Sequence, residues 1–437
     1  MWDAVVVGAG CSGLATAALL SHGGLRVLVL EKGRLPGGRA PVLARDGFQF
    51  NLGIHTPALG PSGPLYSVLR AIGKADRVRF VRPVLNNSWV ERGARLHRMI
   101  LQPWHLLTTS LLTPGGKVRL GAAVARLAVA RPDRLWDVPL GELGWGAEVR
   151  EYFFDQAQVI CFEAEPEQLS AGHFVEAFQA TLRVRWPFFY PQGGWGAVYQ
   201  ALTERIVEAG GEVRLGARVT QVSPAWPLGA GAGVTVHLAG AEPVQARACV
   251  LTLPPQDVPA LLPDGCLAPD LAAWLQGLEP VAVAALDLGL KQALPGARLS
   301  AVHSPAERML ITSYTDPAIG LTPPGGQLIQ ALCFARPGEL EGGASAIHRQ
   351  LEAMVERHFP GAVEMAAVRQ ATAFRRALSV RRKVGQARVH LPGARLPGVP
   401  TLFLAGDGTA APGELGNAAW ASARGAAAEV LRFLGGR

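Results

Sequence analysis

The first 31 residues constrain this chain more than any other stretch of it. Ala4-Val5-Val6-Val7 is a short β-branched run of the kind that forms a parallel strand buried on both faces. Gly8-Ala9-Gly10-Cys11-Ser12-Gly13 follows at once, then a helix-forming stretch over 14–20, then Arg26-Val27-Leu28-Val29-Leu30 ending in Glu31. Strand, glycine turn, helix, strand and acid in this register predict a dinucleotide-binding βαβ unit. Gly8 permits the tight turn, Gly10 lets backbone approach a pyrophosphate, and Gly13 lets helix pack on strand. The helix N-terminus offers free N–H groups and a positive dipole end to phosphates. Glu31, at the tip of the second strand, is placed to accept from both hydroxyls of a ribose, and it would repel a 2′-phosphate, which disfavours NADP. Cys11 has two readings inside this turn: a thiol activated by the helix N-terminus, or a small residue beneath the phosphates.

The rest of the composition fits one enzyme-sized globular chain. At 437 residues, with 49% hydrophobic and 17% charged residues, it has a large core and is not disordered. The net charge of +8 comes from 37 Arg and 5 Lys that are scattered, with no basic run longer than Arg381-Arg382-Lys383. Dispersed charge is a weak nucleic-acid footprint, so no nucleic-acid partner is expected. Five cysteines without a CxxC pair give neither a disulfide framework nor a readable zinc site, and no metal is expected. No run is long and apolar enough to span a bilayer and no signal peptide is readable, so a cytoplasmic location is expected.

After Glu31, the stretch Lys32-Gly33-Arg34-Leu35-Pro36-Gly37-Gly38-Arg39 adds a second glycine pair and an arginine suited to pyrophosphate. With these residues the chain resembles the flavin-dependent amine oxidase and phytoene desaturase superfamily. The resemblance implies FAD as cofactor, with Glu31 on the adenosine ribose, Gly37 and Gly38 beside the cofactor and Arg39 in contact with it. Many amine oxidases carry arginine where Gly33 stands, and Arg34 is the residue that would compensate.

Three later blocks extend the resemblance. Gly47-Phe48-Gln49-Phe50-Asn51-Leu52-Gly53-Ile54-His55 is similar to the family's segment that passes the flavin ring; Gly53 and Ile54 take that place, and His55 is the nearest candidate for a catalytic base. Phe189-Tyr190-Pro191-Gln192-Gly193-Gly194-Trp195 precedes an amphipathic helix over 198–209 and then strands, in which Val219 stands where the desaturases hold adenine through backbone. Near the C-terminus, a buried strand over 401–404 runs into Ala405-Gly406-Asp407-Gly408, and Gly413-Glu414-Leu415-Gly416-Asn417-Ala418 opens a small-residue helix. By resemblance Gly406 and Asp407 serve the phosphate and ribityl portion, while Gly416 and the amides around Asn417 and Ala418 face the pyrimidine edge. A helix N-terminus there stabilises the negative charge of reduced flavin.

The expected fold class is therefore α/β: a discontinuous Rossmann-type FAD domain with a second α+β domain containing an antiparallel sheet and a helical portion. The FAD domain draws on 1–60, 190–265 and 395–437, and the substrate domain on 61–189 and 266–394. Residues 61–189 read mostly helical, and apolar runs at 281–288, 309–313 and 328–334 read as antiparallel strands. Amine oxidases of this family usually carry a lysine on a substrate-domain strand, but 280–287 has none and Lys291 lies beyond it. The reading is an FAD-dependent oxidoreductase taking hydride from an apolar, isoprenoid-like substrate, with the electron acceptor undetermined. A flavin amine or amino-acid oxidase is the alternative, and a prenyl- or lipid-binding protein without catalysis is the rival from another class. Trp104, Leu106, Leu107, Leu111 and Leu112 between Arg98 and Lys117 read either as a bilayer-interface segment, giving peripheral membrane contact, or as a buried helix.

Overall fold

The computed structural model describes residues 1–53, 59–184, 186, 188–225, 233–295 and 299–435. Two large sheets organise the chain. The first runs in the order Val219–Pro224, Val234–Leu238, Ala241–Leu251, Trp2–Val7, Val27–Glu31 and Glu212–Leu215, with Leu402–Leu404 pairing Ala241–Leu251. Its centre is parallel: Trp2–Val7 pairs in parallel with Val27–Glu31 and with Ala241–Leu251. β-Branched runs such as Val5-Val6-Val7 suit this position because both faces are covered, and Ala4, Val5, Val6, Val27, Leu28 and Val29 are fully buried.

The first helix, Cys11–His22, packs between the helix Trp195–Glu208 and the last helix, Gly416–Leu434. It is buried nearly all round, as Ala15, Ala17, Ala18 and Leu20 record. Small side chains on the last helix, Ala419, Ala423, Ala426 and Ala427, let the two helices approach closely. The sheet therefore receives strands from the start, middle and end of the chain and brings their loops to one edge.

The second sheet is ordered Val368–Leu378, Val281–Leu290, Gln327–Ala335, Met309–Tyr314, Ala301–Ser304, Ser88–Arg92 and Arg95–Arg98. The helix Ser345–His358 covers one face with Ile347, Leu351, Met354 and Val355. Phe162, Val283, Ala285 and Phe334 cluster on the other face. Helices Pro114–Val129, Ala147–Cys161 and Ala171–Leu182 form a separate bundle with its own core.

Residues 61–189 are mostly helical, as expected, but they also contribute strands. Ser88–Arg92 and Arg95–Arg98 form a hairpin that extends the second sheet, and Ser88–Arg92 runs parallel to Ala301–Ser304. Gly93, at φ +58, makes the turn, while Ser88 and Val90 alternate inward. Three neighbouring helices masked this short alternation in the sequence.

The run Arg381-Arg382-Lys383 is not a surface patch. Arg381 pairs with Glu163 and Glu165, Lys383 pairs with Glu279, and the Arg382 guanidinium donates to the Asp407 carbonyl. The chain's densest positive segment thus ties the helical bundle to the first sheet.

One buried carboxyl makes stability depend on pH. Asp155 is 4% exposed and meets Arg92 at 2.6 Å; burial pushes its pKa up to about 7, against the pull of Arg92. An unfolded aspartate titrates near about 4, so the stabilisation of the protonated form is complete below that and is lost as pH rises through 7. Asp155→Asn should therefore gain on the parent between pH 4 and pH 8, by roughly 2–4 kcal/mol. Urea denaturation at both pH values reads this directly, and a pH-independent difference would contradict it.

Candidate functional site

The glycine turn after the first strand is built by close backbone approaches. Gly8 sits at φ +109, and a Cβ on Gly13 would lie 2.0 Å from the Gly8 carbonyl oxygen. The Thr252 hydroxyl donates to the Val7 carbonyl at 2.8 Å and braces the turn from the strand behind. Gly37 N–H donates to the Ala9 carbonyl at 2.8 Å, so the second glycine pair lies directly on the first turn. A Cβ on Gly38 would come within 3.1 Å of the Gly10 Cα.

Glu31 organises this end. Its carboxylate accepts from Ala9 N–H at 2.8 Å and from Gly33 N–H at 2.7 Å, which locks the strand tip to both turns and leaves lone pairs facing the cavity. Cys11 has the Tyr199 hydroxyl 3.5 Å away, and burial pushes its thiol up to about 11 despite that contact and Arg39. The activated-thiol reading is thereby corrected: Cys11 is a small, protonated wall residue.

At the other end, Arg39 meets Asp407 through two hydrogen bonds, at 2.5 and 3.2 Å. Ser379 adds its N–H and hydroxyl to the same carboxylate, both at 2.7 Å. Burial alone would raise the Asp407 pKa, but Arg39 and the Ser379 donors outweigh it and hold the group at about 2. Arg39 also donates to the Ala377 carbonyl at 3.1 Å, which ties the edge strand of the second sheet to the site.

The last helix starts after Leu415, which is held at φ +53, and no side chain caps it. Asn417 N–H donates to the Glu414 carbonyl at 2.9 Å, so one of the amides assigned to the pyrimidine edge is already engaged. Gly416, Asn417, Ala419 and Trp420 line the cavity.

These loops surround one cavity of about 1360 Å³, above the roughly 300–1,000 Å³ of a drug-sized ligand site. Of the residues assigned from sequence, Gly8, Gly10, Cys11, Ser12, Glu31 and Lys32 line it, as does Val219, which follows the Ala217 N–H bonded to the Glu31 carbonyl. Gly37, Gly38, Arg39, Gly53, Asp407, Gly416 and Asn417 line the remainder. Ala9, Gly13, Gly406 and Ala418 do not. Ala9 and Gly13 act through the turn, Gly406 N–H donates to the Ser422 hydroxyl at 2.8 Å, and Ala418 is packed inside the helix interface. Ile54 and His55 lie outside the described residues. Arg34 lines the cavity beside Gly33.

Sequence reasoning missed Ser379, Thr252 and the wall formed by Phe162, Phe374, Leu378 and Leu415. Only the Thr252-Leu253-Pro254 break after a β-branched run carried a readable signal.

The donor set suits an extended dinucleotide. A Cβ on Gly10 would meet nothing nearer than 3.9 Å and would project into the cradle instead of into protein. The first helix lacks a side-chain cap, so its first-turn N–H groups remain for phosphate. A parallel-sheet dinucleotide fold with two glycine turns, a ribose acid and a second sheet beside it defines a flavoprotein oxidoreductase class. A family model described as flavin containing amine oxidoreductase matches residues 11–431, and the chain belongs to that family. FAD is accordingly its cofactor, and oxidation–reduction is the class of chemistry of the family.

Among curated proteins, phytoene dehydrogenase of Streptomyces griseus is 26% identical over 282 residues, covering 57% of this chain and 53% of the relative. The chain thus spans about half the length of that relative in the match. An oxidoreductase from Methanosarcina mazei superposes with a TM-score of 0.78 at 19% identity, over 97% of this chain and 99% of the other. Cyclohexylamine oxidase from Brevibacterium oxydans IH-35A superposes with a TM-score of 0.71 at 15% identity, over 99% of both chains. At these identities the two structures establish the fold alone.

Proposed function

We propose that this FAD-dependent oxidoreductase removes hydride from an apolar, isoprenoid-like substrate. The observation that carries the reading is the charge of the cavity. Among the described lining residues, Lys32, Arg34, Arg39, Arg218, Arg375 and Arg376 face only Glu31, Asp257 and Asp407. Glu31 is taken by the turns and the ribose in this reading, Asp407 is committed to Arg39, and Asp257 pairs with Arg376 at 2.5 Å. Among these residues no carboxylate is left over to receive a protonated amine, and the arginines would repel one. The apolar wall of Phe162, Phe374, Leu378, Leu340, Ala344 and Leu415 suits a hydrocarbon. Similarity to a phytoene dehydrogenase supports the same direction.

In this reading Glu31 holds the adenosine ribose, and the first-turn amides after Gly10 take the pyrophosphate. Val219 lies at the adenine, Arg39 and Asp407 fix the middle of the cofactor, and Gly416 and Asn417 border its ring. FAD, when bound, supplies the hydride-accepting ring. The chain's own work is to orient the substrate C–H bond and exclude water with that apolar wall.

Trp104 and Leu107 are 60% and 79% exposed, and Val118 and Val129 are 74% and 81% exposed on the helix Pro114–Val129 beside Arg119 and Arg126. This apolar and basic surface supports peripheral contact with anionic lipid, from which such a substrate would be drawn. No described helix is long and apolar enough to cross a membrane.

The test is anaerobic. Holoprotein mixed with a polyene in anionic vesicles should lose its visible flavin bands, while primary amines should leave them intact. Bleaching by an amine and not by the polyene would reverse the assignment, and protein that never acquires flavin bands after FAD reconstitution would refute the oxidoreductase reading.

A further inference from the structure

We propose that Cys161, His173 and Glu414 form a second site, set apart from the cofactor cavity, for a divalent transition metal of the zinc class. Cys161 ends the helix Ala147–Cys161, His173 lies in the first turn of Ala171–Leu182, and Glu414 belongs to the turn before the last helix. One ligand atom from each lies within 4.8 Å of the other two. Ligand atoms around a tetrahedral zinc are roughly 3.3–3.7 Å apart, given metal–ligand bonds of about 2.0–2.3 Å, so the wider gaps must close slightly and the 2.7 Å approach of His173 Nε2 to Glu414 Oε2 must open slightly to seat one ion.

Two of the three residues are buried and Glu414 is nearly so, and part of the cluster's lone-pair set is unclaimed. Cys161 is 4% exposed and His173 fully buried. Among the described residues, His173 Nδ1 and Glu414 Oε1 have no hydrogen-bond partner; His173 Nε2 lies 2.7 Å from Glu414 Oε2 without hydrogen-bond geometry. A buried imidazole with its Nδ1 unpartnered is unusual, and what it shares with the thiol and carboxylate is lone-pair donation, the property a cation uses.

The ligand types set the metal. Thiolate, imidazole and carboxylate together suit zinc and its neighbours, whereas calcium and magnesium take oxygen alone. Thiolate plus carboxylate also brings a divalent ion to zero net charge. That matters because the buried Arg382 guanidinium lies beside Glu414 and Cys161 and is anchored on the Asp407 carbonyl. Because thiolate and carboxylate offset the ion's charge, binding adds no net positive charge beside Arg382.

The site's place gives it a consequence. It joins the helical bundle to the turn at which Leu415 takes its left-handed conformation, and Leu415, Gly416 and Asn417 wall the cofactor cavity. A bound ion would hold that wall in place. This inference is independent of which substrate the enzyme takes.

Cobalt(II) is the probe, added to purified holoprotein after treatment with a chelator. The expected result is one equivalent bound, with a thiolate-to-cobalt charge-transfer band, ligand-field bands at wavelengths beyond the flavin absorption, and displacement of both by zinc. Cys161→Ser should abolish the charge-transfer band while retaining bound flavin, which reports its folding. His173→Gln and Glu414→Gln should each weaken cobalt binding by at least about 10–100-fold, and they decide the matter if the cysteine variant does not fold. Wild-type protein that takes up no cobalt, or cobalt bands that survive in these variants, would overturn the site.

Discussion

Gly13→Ala should abolish FAD binding and destabilise the protein together. The added Cβ would stand 2.0 Å from the Gly8 carbonyl oxygen, 2.9 Å from Thr252 Oγ1 and 3.0 Å from the Gly8 carbonyl carbon. Two of those atoms are backbone of the phosphate turn, so relief requires the first helix to move off the strand. Overpacking of a tight interior costs about 1–3 kcal/mol and more where backbone must shift; at least about 3 kcal/mol is expected here. The same movement takes the helix N-terminus away from the phosphates.

Gly10→Ala is the contrasting control. Its Cβ would have 3.9 Å of clearance to the Gly38 Cα, so the fold should tolerate it, while the methyl group takes space that the cofactor needs. Chemical denaturation without flavin and FAD titration separate the two effects. A Gly13→Ala protein with parental stability would show that the helix does not rest on the turn as described.

The second large effect is expected from Asp407→Asn. The carboxylate receives four hydrogen bonds, two from Arg39 and two from Ser379. Removing its charge leaves Arg39 without a counter-ion. Breaking a buried pair costs about 3–5 kcal/mol, and the lower end applies because the Arg39 side chain is 36% exposed. FAD affinity should fall as well, because Arg39 is no longer held at the cavity.

The pH dependence identifies the cause. The Asp407 carboxyl is held at about 2 and an unfolded aspartate titrates near about 4, so its contribution is present above pH 4 and is lost as pH falls through 2. The stability gap between the two proteins should therefore narrow on acidification from pH 4 to pH 2. A gap that stays constant would assign the loss to packing instead of charge.

How much was readable follows from the range of each interaction. Gly8, Gly10, Gly13 and Glu31 lie within a single βαβ unit, where spacing along the chain sets spacing in space, and their arrangement matches the expected one. The strands at 281–290, 309–314 and 327–335 were equally legible because each is a continuous apolar run. The hairpin at Ser88–Arg92 and Arg95–Arg98 was not, since its pairing with Ala301–Ser304 involves residues more than two hundred positions away. Ser379, Phe374 and Phe162 have no local signature at all, and only packing against Asp407 and the edge strand gives them a place in the site.

By itself the sequence determined the nucleotide-binding turn, its acid and the class of cofactor, because a cofactor's phosphates are recognised by backbone conformation that glycines encode locally. Tertiary structure alone decided the rest. It turned the basic run Arg381-Arg382-Lys383 from apparent surface charge into a buried clasp, because Glu163, Glu165 and Glu279 meet it across the fold. It raised the Cys11 thiol out of reactivity, because burial outweighs the Tyr199 contact and the charge of Arg39. And it gathered Cys161, His173 and Glu414 into one cluster, since three side chains on separate elements share a position only once the helical bundle has packed against the last helix.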